Sequence, residues 1–321
     1  MSWLASMEKA LPRLPRTLLR GVGQVFFCCN AVTGLVFLVA LYVGGLAAGA
    51  AATLGVTCST AAAYLLGFSE EDIDAGLYGF NGTLVGPCLV LFLEPSPQLW
   101  LYVALASAVS TVIMATLTRI LAPLRIAAST GPFVLTCWMF LAAVYGFDSL
   151  QRGSMLPPPA LPTGVTGSGS VAAHLWFTAL TKGMSEVMFA DSSVVGILFL
   201  VGIAITSFRG ALLAAGGATL GIIMPILLGA SSNAIQTGMY GFNPVLTMMA
   251  VGWALLQPGP RSAALAVLAG IVTVVCQASV ASALAPLGLP TLTSPFVITL
   301  WVFLLAAGKS KHWPQTNHGI A

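Results

Sequence analysis

The sequence predicts an all-α polytopic membrane protein built from two copies of one module in inverted topology, with five transmembrane helices in each copy. Three observations predict it. Apolar residues make up 58% of the 321-residue chain and charged residues 7%, with mean hydropathy +0.96, a composition that cannot cover itself with a water-soluble surface and requires lipid as solvent. The stretch 76–86, Gly-Leu-Tyr-Gly-Phe-Asn-Gly-Thr-Leu-Val-Gly, returns 162 residues later as Gly-Met-Tyr-Gly-Phe-Asn-Pro-Val-Leu-Thr-Met, identical at six of eleven positions. The third observation is the placement of the basic residues, given below.

The duplication extends well beyond that motif. At the same offset Gln24-Val25-Phe26-Phe27 aligns with Glu186-Val187-Met188-Phe189, Gly34 with Gly196, and Leu65-Leu66-Gly67 with Leu227-Leu228-Gly229. Further on, residues 122–138 match 285–301 at nine of seventeen positions, including Thr130 with Thr293, Pro132-Phe133 with Pro295-Phe296 and Trp138 with Trp301. There the offset is 163, so the second copy carries one extra residue in between.

Taken in order, residues 1–23 place Lys9, Arg13, Arg16 and Arg20 among leucines, which predicts a basic N-terminal interfacial arm that sets topology. Pro12, Pro15 and the basic residues interrupt this stretch, and the apolar run after it is too long for a cleaved signal, so the segment is expected to stay. Apolar spans follow at 31–49, 50–67, 84–93, 99–121 and 133–145, repeat 1 running over 24–147. A linker rich in Pro, Gly and Ser is expected at 148–174, with His174 as a solvated residue at its end. Repeat 2, 175–308, carries spans at 194–208, 211–229, 245–257, 263–285 and 296–307, followed by a C-terminal tail at 309–321. A helix needs roughly 20 apolar residues to cross a bilayer, so some spans are full and others short. About ten crossings are expected.

The short spans are informative. Residues 84–93 stop at Glu94-Pro95-Ser96-Pro97 and residues 245–257 at Pro258-Gly259-Pro260. Interrupted hydrophobic segments at matching places in two repeats point to a transport site, although short helices in a tight bundle would read the same way. With five crossings per copy and the N-terminus inside, Arg119, Arg125, Arg209, Arg261, Lys309 and Lys311 join the four N-terminal basic residues on the cytoplasmic face. Only Arg152 and Lys182 fall outside, so ten of the twelve basic residues obey the positive-inside rule. Five is odd, so the second copy is inverted. Both termini are expected on the cytoplasmic side of the cell (inner or plasma) membrane.

Several classes drop out. The net charge of +3 is scattered over segment ends with no aromatic-interleaved basic face, so no nucleic-acid partner is expected. Cys28, Cys29, Cys58, Cys88, Cys137 and Cys276 lie within apolar runs without metal-binding or disulfide spacing and read as small buried hydrophobes. Neither a cofactor nor a metal is called for. No nucleophile–base pair suggests an enzyme.

The residues that could carry chemistry are few. An ionisable group at membrane depth is costly and points to function, which singles out Glu186 and Asp191 against Gln24 and Cys29 in the first copy. What Gln24 and Glu186 share is an acceptor oxygen. Thr130 and Thr293 each stand two residues before a proline at the start of an apolar span; the proline frees a carbonyl and the threonine offers a hydroxyl. Ordinary helix caps with Pro in the first turn have the same pattern. Phe27, Phe80, Phe189 and Phe242 repeat as two pairs, beside Asn81 and Asn243 in the motif, and could wall a slot or simply fill the core.

The twin Tyr-Gly-Phe-Asn motifs, and the string Leu289-Pro290-Thr291-Leu292-Thr293-Ser294-Pro295-Phe296 preceded by Ala285-Pro286-Leu287, resemble the urea transporter family from Gln24 to Ala307. The first copy reads Ile126-Ala127-Ala128-Ser129-Thr130-Gly131-Pro132-Phe133, keeping Thr, Pro and Phe but lacking the leading Leu-Pro. The resemblance implies a homotrimer in the lipid bilayer. Each protomer would have its own pore between two inverted repeats of five transmembrane helices plus a re-entrant half-helix each, passing urea down its gradient. It implies aromatic constrictions at Phe27, Phe80, Phe189 and Phe242, acceptors at Gln24 and Glu186, a central site at Thr130 and Thr293, and apolar walls at Leu84, Val187 and Leu246. Another neutral-solute or ammonia channel, or an ion-coupled carrier, stays open on the residues alone. A histidine-lined pore is hard to build from His174, His312 and His318, which sit in the linker and tail.

Overall fold

The computed structural model describes residues 2–165, 167 and 171–316; residues 168–170 of the linker, and His318 with the end of the tail, lie outside them. Among the described residues the regular elements are helices, with two isolated β-bridges. These residues divide into two compact units, one of 2–120 and 130–156 and the other of 121–129 and 157–316.

In the first copy α1 (Ser2–Ala10) and α2 (Arg13–Gln24) precede α3 (Ala31–Gly44), α4 (Leu46–Leu65), α5 (Glu70–Asp74), α6 (Gly79–Phe92), α7 (Pro97–Leu121) and α8 (Gly131–Ala143). The second copy repeats the succession as α9 (Trp176–Ser185), α10 (Ser193–Thr206), α11 (Phe208–Leu227), α12 (Ser232–Gln236), α13 (Phe242–Met249), α14 (Pro260–Leu284) and α15 (Ser294–Ala307). From α3 and α10 to α5 and α12 every boundary differs by 162, and α7 with α14 differs by 163 at both ends. The duplication seen in sequence is therefore a duplication of helices.

The extra residue of the second copy has a place. After α13 the helix widens into a π-turn, Ala250–Ala254, closed by Leu255 N–H donating to the Ala250 carbonyl at 2.8 Å. A π-bulge is what one inserted residue makes of an α-helix. Upstream of it the copies run at 162; downstream the bridge Leu93–Arg152 reappears as Leu256–Gln315, an offset of 163 on both sides. The hydrogen bonds flanking the two bridges match as well. Gly153 N–H donates to Phe92 O at 2.8 Å and Thr316 N–H to Leu255 O at 3.0 Å. Residues 314–316 of the tail thus pair with their own unit as 151–153 do with theirs. Arg209, at a position where the first copy has Ala47, donates to the carbonyls of Gly252 and Gly259 at 3.3 and 3.0 Å.

Among the described residues four helices are long and apolar enough to cross a membrane: Leu46–Leu65, Pro97–Leu124 (α7 with its 3-10 extension), Phe208–Leu227 and Pro260–Leu287. A fifth is available if Trp176–Met188 and Ser193–Thr206, bent by 75°, count as one broken span. Shorter apolar helices lie at Ala31–Gly44, Gly79–Phe92, Gly131–Gly146 and Ser294–Ala307. The chain is a multi-pass membrane protein.

Two boundaries and the burial of one cysteine depart from expectation. The first break falls at Gly45, where the backbone is extended (φ 171°, ψ 132°), not at Gly49. Helix α6 starts at Gly79, five residues before the apolar run, because its Gly-rich first turn lies against α4: a Cβ on Gly82 would meet the Gly55 carbonyl, and one on Gly55 the Gly82 carbonyl. Small residues let helix backbones approach in this way in a membrane protein. Finally, Cys29 is exposed, since it follows the turn after α2, whereas Cys28, Cys88 and Cys137 are buried and Cys58 and Cys276 are half-buried.

The basic arm of α1 and α2 is neutralised in part by acids. Arg13 reaches Glu70 at 2.7 Å and Asp74 at 2.9 Å, and Arg20 reaches Glu8 at 3.1 Å. Glu8 also accepts from Ala31 N–H at 2.7 Å, so it caps α3 from outside. Burial pushes the Glu8 carboxyl up, but the Arg20 hydrogen bond and the Ala31 amide outweigh it and hold the group below its usual value. Asp74 is likewise held low against burial by Arg13 and Thr17.

Candidate substrate site

The expected site residues fall into two groups, one per unit. In the first unit Gln24 ends α2 and its Nε2 donates to the Ala75 carbonyl at 2.9 Å. That bond ties one N–H of the amide to the end of α5 and leaves its acceptor oxygen without a donor among the described residues of the first unit. Three residues on, Phe27 takes the left-handed conformation, φ 59°. Its N–H returns to Gln24 O at 2.9 Å and Cys28 N–H to Gly23 O at 3.0 Å, the closing pattern of a helix end where glycine is the usual occupant.

The second unit repeats this turn. Glu186, half-buried, opens the 3-10 turn Glu186–Met188 after α9, and Phe189 follows at φ 63°. Ala190 N–H closes on Ser185 O at 3.1 Å. Lys182, the counterpart of Arg20, pairs with Asp191 at 2.6 Å, so the second unit also sets a cation–carboxylate pair beside its acceptor. Val187 is buried within the turn, which packs on α13.

Helices α6 and α13 carry the next residues. Twelve of the fourteen residues of α6 are buried, Phe80 and Leu84 among them, and all eight of α13, including Phe242 and Leu246. Such all-round burial is what a helix without a polar face requires. Helix α6 packs on α2, α4 and α8, and α13 on α9, α11, α14 and α15.

The threonines stand at the N-caps of α8 and α15. Thr130 and Thr293 are each 2% exposed, and neither side chain caps its own helix. The cap comes from elsewhere. Asn81 Oδ1 accepts from Phe133 N–H at 3.0 Å, and Asn243 Oδ1 from Phe296 N–H at 3.2 Å. The asparagine of each Tyr-Gly-Phe-Asn motif therefore holds the first turn of the Thr-x-Pro-Phe helix in its own unit, and brings Phe80 and Thr130, or Phe242 and Thr293, into one neighbourhood. The residues just before the threonines, Ser129 and Leu292, are both left-handed at φ 51°.

A sequence model of the urea transporter family matches residues 16–308. The chain belongs to the urea transporter family. It is similar to urea transporter 1 of Ovis aries, 30% identical over 312 residues, covering 96% of this chain and 81% of that protein. Urea transporter 1 of Capra hircus is 29% identical over the same length, and that of Mus musculus 29% over 296 residues, covering 91% of this chain and 77% of that protein. The family is one of transporters.

In this urea transporter family member, sequence reasoning set Asn81 and Asn243 beside the phenylalanines without giving them a task. It missed Gln277 altogether. Gln277 Oε1 accepts from Asn243 Nδ2 at 2.6 Å, and its own Nε2 donates to Thr291 Oγ1 at 3.1 Å. The available signal was the identity of Asn at matching motif positions, with a lone Gln in the apolar run of α14.

Proposed function

We propose that the protein moves urea passively across the cell membrane through a channel-like pore, one in each protomer of a homotrimer, formed by two inverted five-span repeats. In this reading the chain makes ten crossings, the buried, proline-bearing α6 and α13 re-enter the bilayer as half-helices in addition to them, and both termini are cytoplasmic. The observation that carries it is the family match over residues 16–308 in a chain that builds the same Asn-held Thr-x-Pro-Phe turn twice.

The chemistry follows from urea itself. Urea is planar and neutral and donates N–H groups along its edges, so a row of acceptors satisfies it without a charge. Gln24 and Glu186 supply acceptor oxygens, and Thr130 and Thr293 supply hydroxyls where a helix start already exposes carbonyls. Phe27 and Phe80, with Phe189 and Phe242, offer flat apolar faces to a flat solute. Leu84, Val187 and Leu246 supply the remaining apolar surface. A hydrated ion receives nothing in exchange for its water.

Radiolabelled urea uptake into proteoliposomes tests the reading, with and without ion gradients. Saturable uptake that equilibrates and ignores the gradient is expected. Accumulation above equilibrium driven by protons or sodium, or no urea uptake by folded protein, overturns it.

A further inference from the structure

We infer that Asn81 and Asn243 are the positioning residues of the two threonine sites, and that Gln277 makes the second site the more firmly held of the pair. This inference rests on the urea reading only where it speaks of flux. The capping itself stands on geometry.

A helix start leaves its first N–H groups without partners, and the N-cap side chain normally takes one of them. In α8 the second residue, Pro132, has no N–H, and Val134 N–H already reaches the Thr130 carbonyl at 3.0 Å. Of the first-turn amides that remain, that of Phe133, fully buried, is an interior donor that must be met. By sequence position Thr130 is the residue expected to meet it. Asn81 does so instead, from a different helix. The arrangement recurs in α15, where Val297 N–H reaches Thr293 O at 3.0 Å and Phe296 N–H is taken by Asn243. Because the cap is supplied from α6 or α13, the threonine side chain is not the cap of its own helix.

An amide cap works only when the oxygen faces the helix, and its NH2 group then needs an acceptor on the far side. The two copies solve this differently. Asn81 Nδ2 finds the thioether of Met114 at 3.6 Å, a weak acceptor. Asn243 Nδ2 finds Gln277 Oε1 at 2.6 Å and the Leu292 carbonyl at 3.1 Å, with Thr291 Oγ1 closing the chain. Met114 and Gln277 are equivalent at offset 163, and the position equivalent to Thr291 is Ala128. One copy therefore has a four-member polar network and the other an asparagine resting on a thioether.

The experiment uses the full chain. Backbone amide exchange of Phe133 and Phe296 decides the cap. Asn81→Ala should speed exchange at Phe133 by at least tenfold, and Thr130→Val should leave it within twofold; the reverse order overturns the assignment. In proteoliposomes, Asn81→Ala should cut saturating urea flux about tenfold, and Asn81→Asp, which keeps the acceptor, should restore most of it. Loss that Asp does not recover in equally folded protein reduces Asn81 to a packing residue. If the alanine variant does not fold, Gln277→Met and Met114→Gln carry the test. The first should speed Phe296 exchange and raise the urea KM about threefold, the second should slow Phe133 exchange, and no change in either overturns the asymmetry. A wild-type protein that carries no urea sinks the functional reading while the exchange result still stands.

Discussion

Phe27 and Phe189, 162 positions apart, adopt the same left-handed backbone conformation, φ 59° and 63°. For a bulky L-residue this conformation costs about 1–2 kcal/mol, and glycine is the ordinary occupant of such a helix end. Keeping a phenylalanine there twice, one turn past the acceptor-bearing Gln24 and Glu186, is the kind of local strain that clusters at functional sites.

Glycine at both positions separates strain from use. Phe27→Gly/Phe189→Gly relieves the backbone and removes two half-buried rings, effects of similar size and opposite sign. The melting temperature should therefore move by only a few degrees, while saturating urea flux or its selectivity against larger amides should fall several-fold. A variant that melts much lower, with unchanged flux per folded molecule, would make these rings structural.

The π-turn at Ala250–Ala254 supports a second prediction. Arg209 donates to Gly252 within the turn and to Gly259 beyond it, and the first copy, which lacks the extra residue, has alanine in its place. Arg209→Ala should destabilise the protein by roughly 1.5–3 kcal/mol, the range for a hydrogen bond to a charged group. Deleting Val251 returns the copy to the 162 register and should regenerate an α-helix. In that background the Arg209→Ala cost should fall by about half, since only the Gly259 bond remains to be lost. Strictly additive effects in the double-mutant cycle would sever Arg209 from the bulge.

Much of this fold could be read from residues alone, for identifiable reasons. The helices α7 and α14 were legible because proline and polar residues bracket long apolar runs, and the duplication because whole motifs recur. The break at Gly45 was not, since Val43 to Ala48 is apolar or glycine throughout and an extended residue leaves no mark in such a run. The start of α6 was hidden because Gly79-Phe80-Asn81-Gly82 has a loop-like composition, and only the backbone of α4 against it explains why it is helical. The one-residue change of offset was visible, but whether a loop or a helix absorbed it was not. The Asn81 and Asn243 caps join residues 52 and 53 positions apart, a tertiary relation that no local pattern encodes.

Acid should loosen the N-terminal arm. Glu8 and Asp74 titrate below their usual values in the folded protein. A carboxylate with a depressed folded pKa contributes stability above its unfolded pKa and loses it as pH falls through the folded one. The melting temperature should thus hold steady from neutral pH to the ordinary carboxylate range and drop below it. Glu8→Gln should melt lower at neutral pH and show a shallower acid drop. Parallel curves for the two proteins would show that Glu8 contributes nothing to that drop.

The last prediction concerns Glu186, half-buried at the end of α9, whose repeat partner is the neutral Gln24. If both act only as acceptors, charge at this position is dispensable, because a glutamine keeps one of the two carboxylate oxygens and adds an NH2 that can be directed elsewhere, as Gln24 directs its own to Ala75. Glu186→Gln should then keep substantial urea transport, with a KM within severalfold of the wild type, and neither protein should couple uptake to a pH gradient. Planar-bilayer recordings should show no sodium, chloride or ammonium current in either, because the proposed barrier to ions is a dehydration cost at the apolar rings and not a charge at the carboxylate. Widening Phe80 or Phe242 to Trp should lower urea flux and still pass no current. Urea accumulation driven by protons, lost in Glu186→Gln, would instead make Glu186 a proton carrier and the protein a coupled transporter.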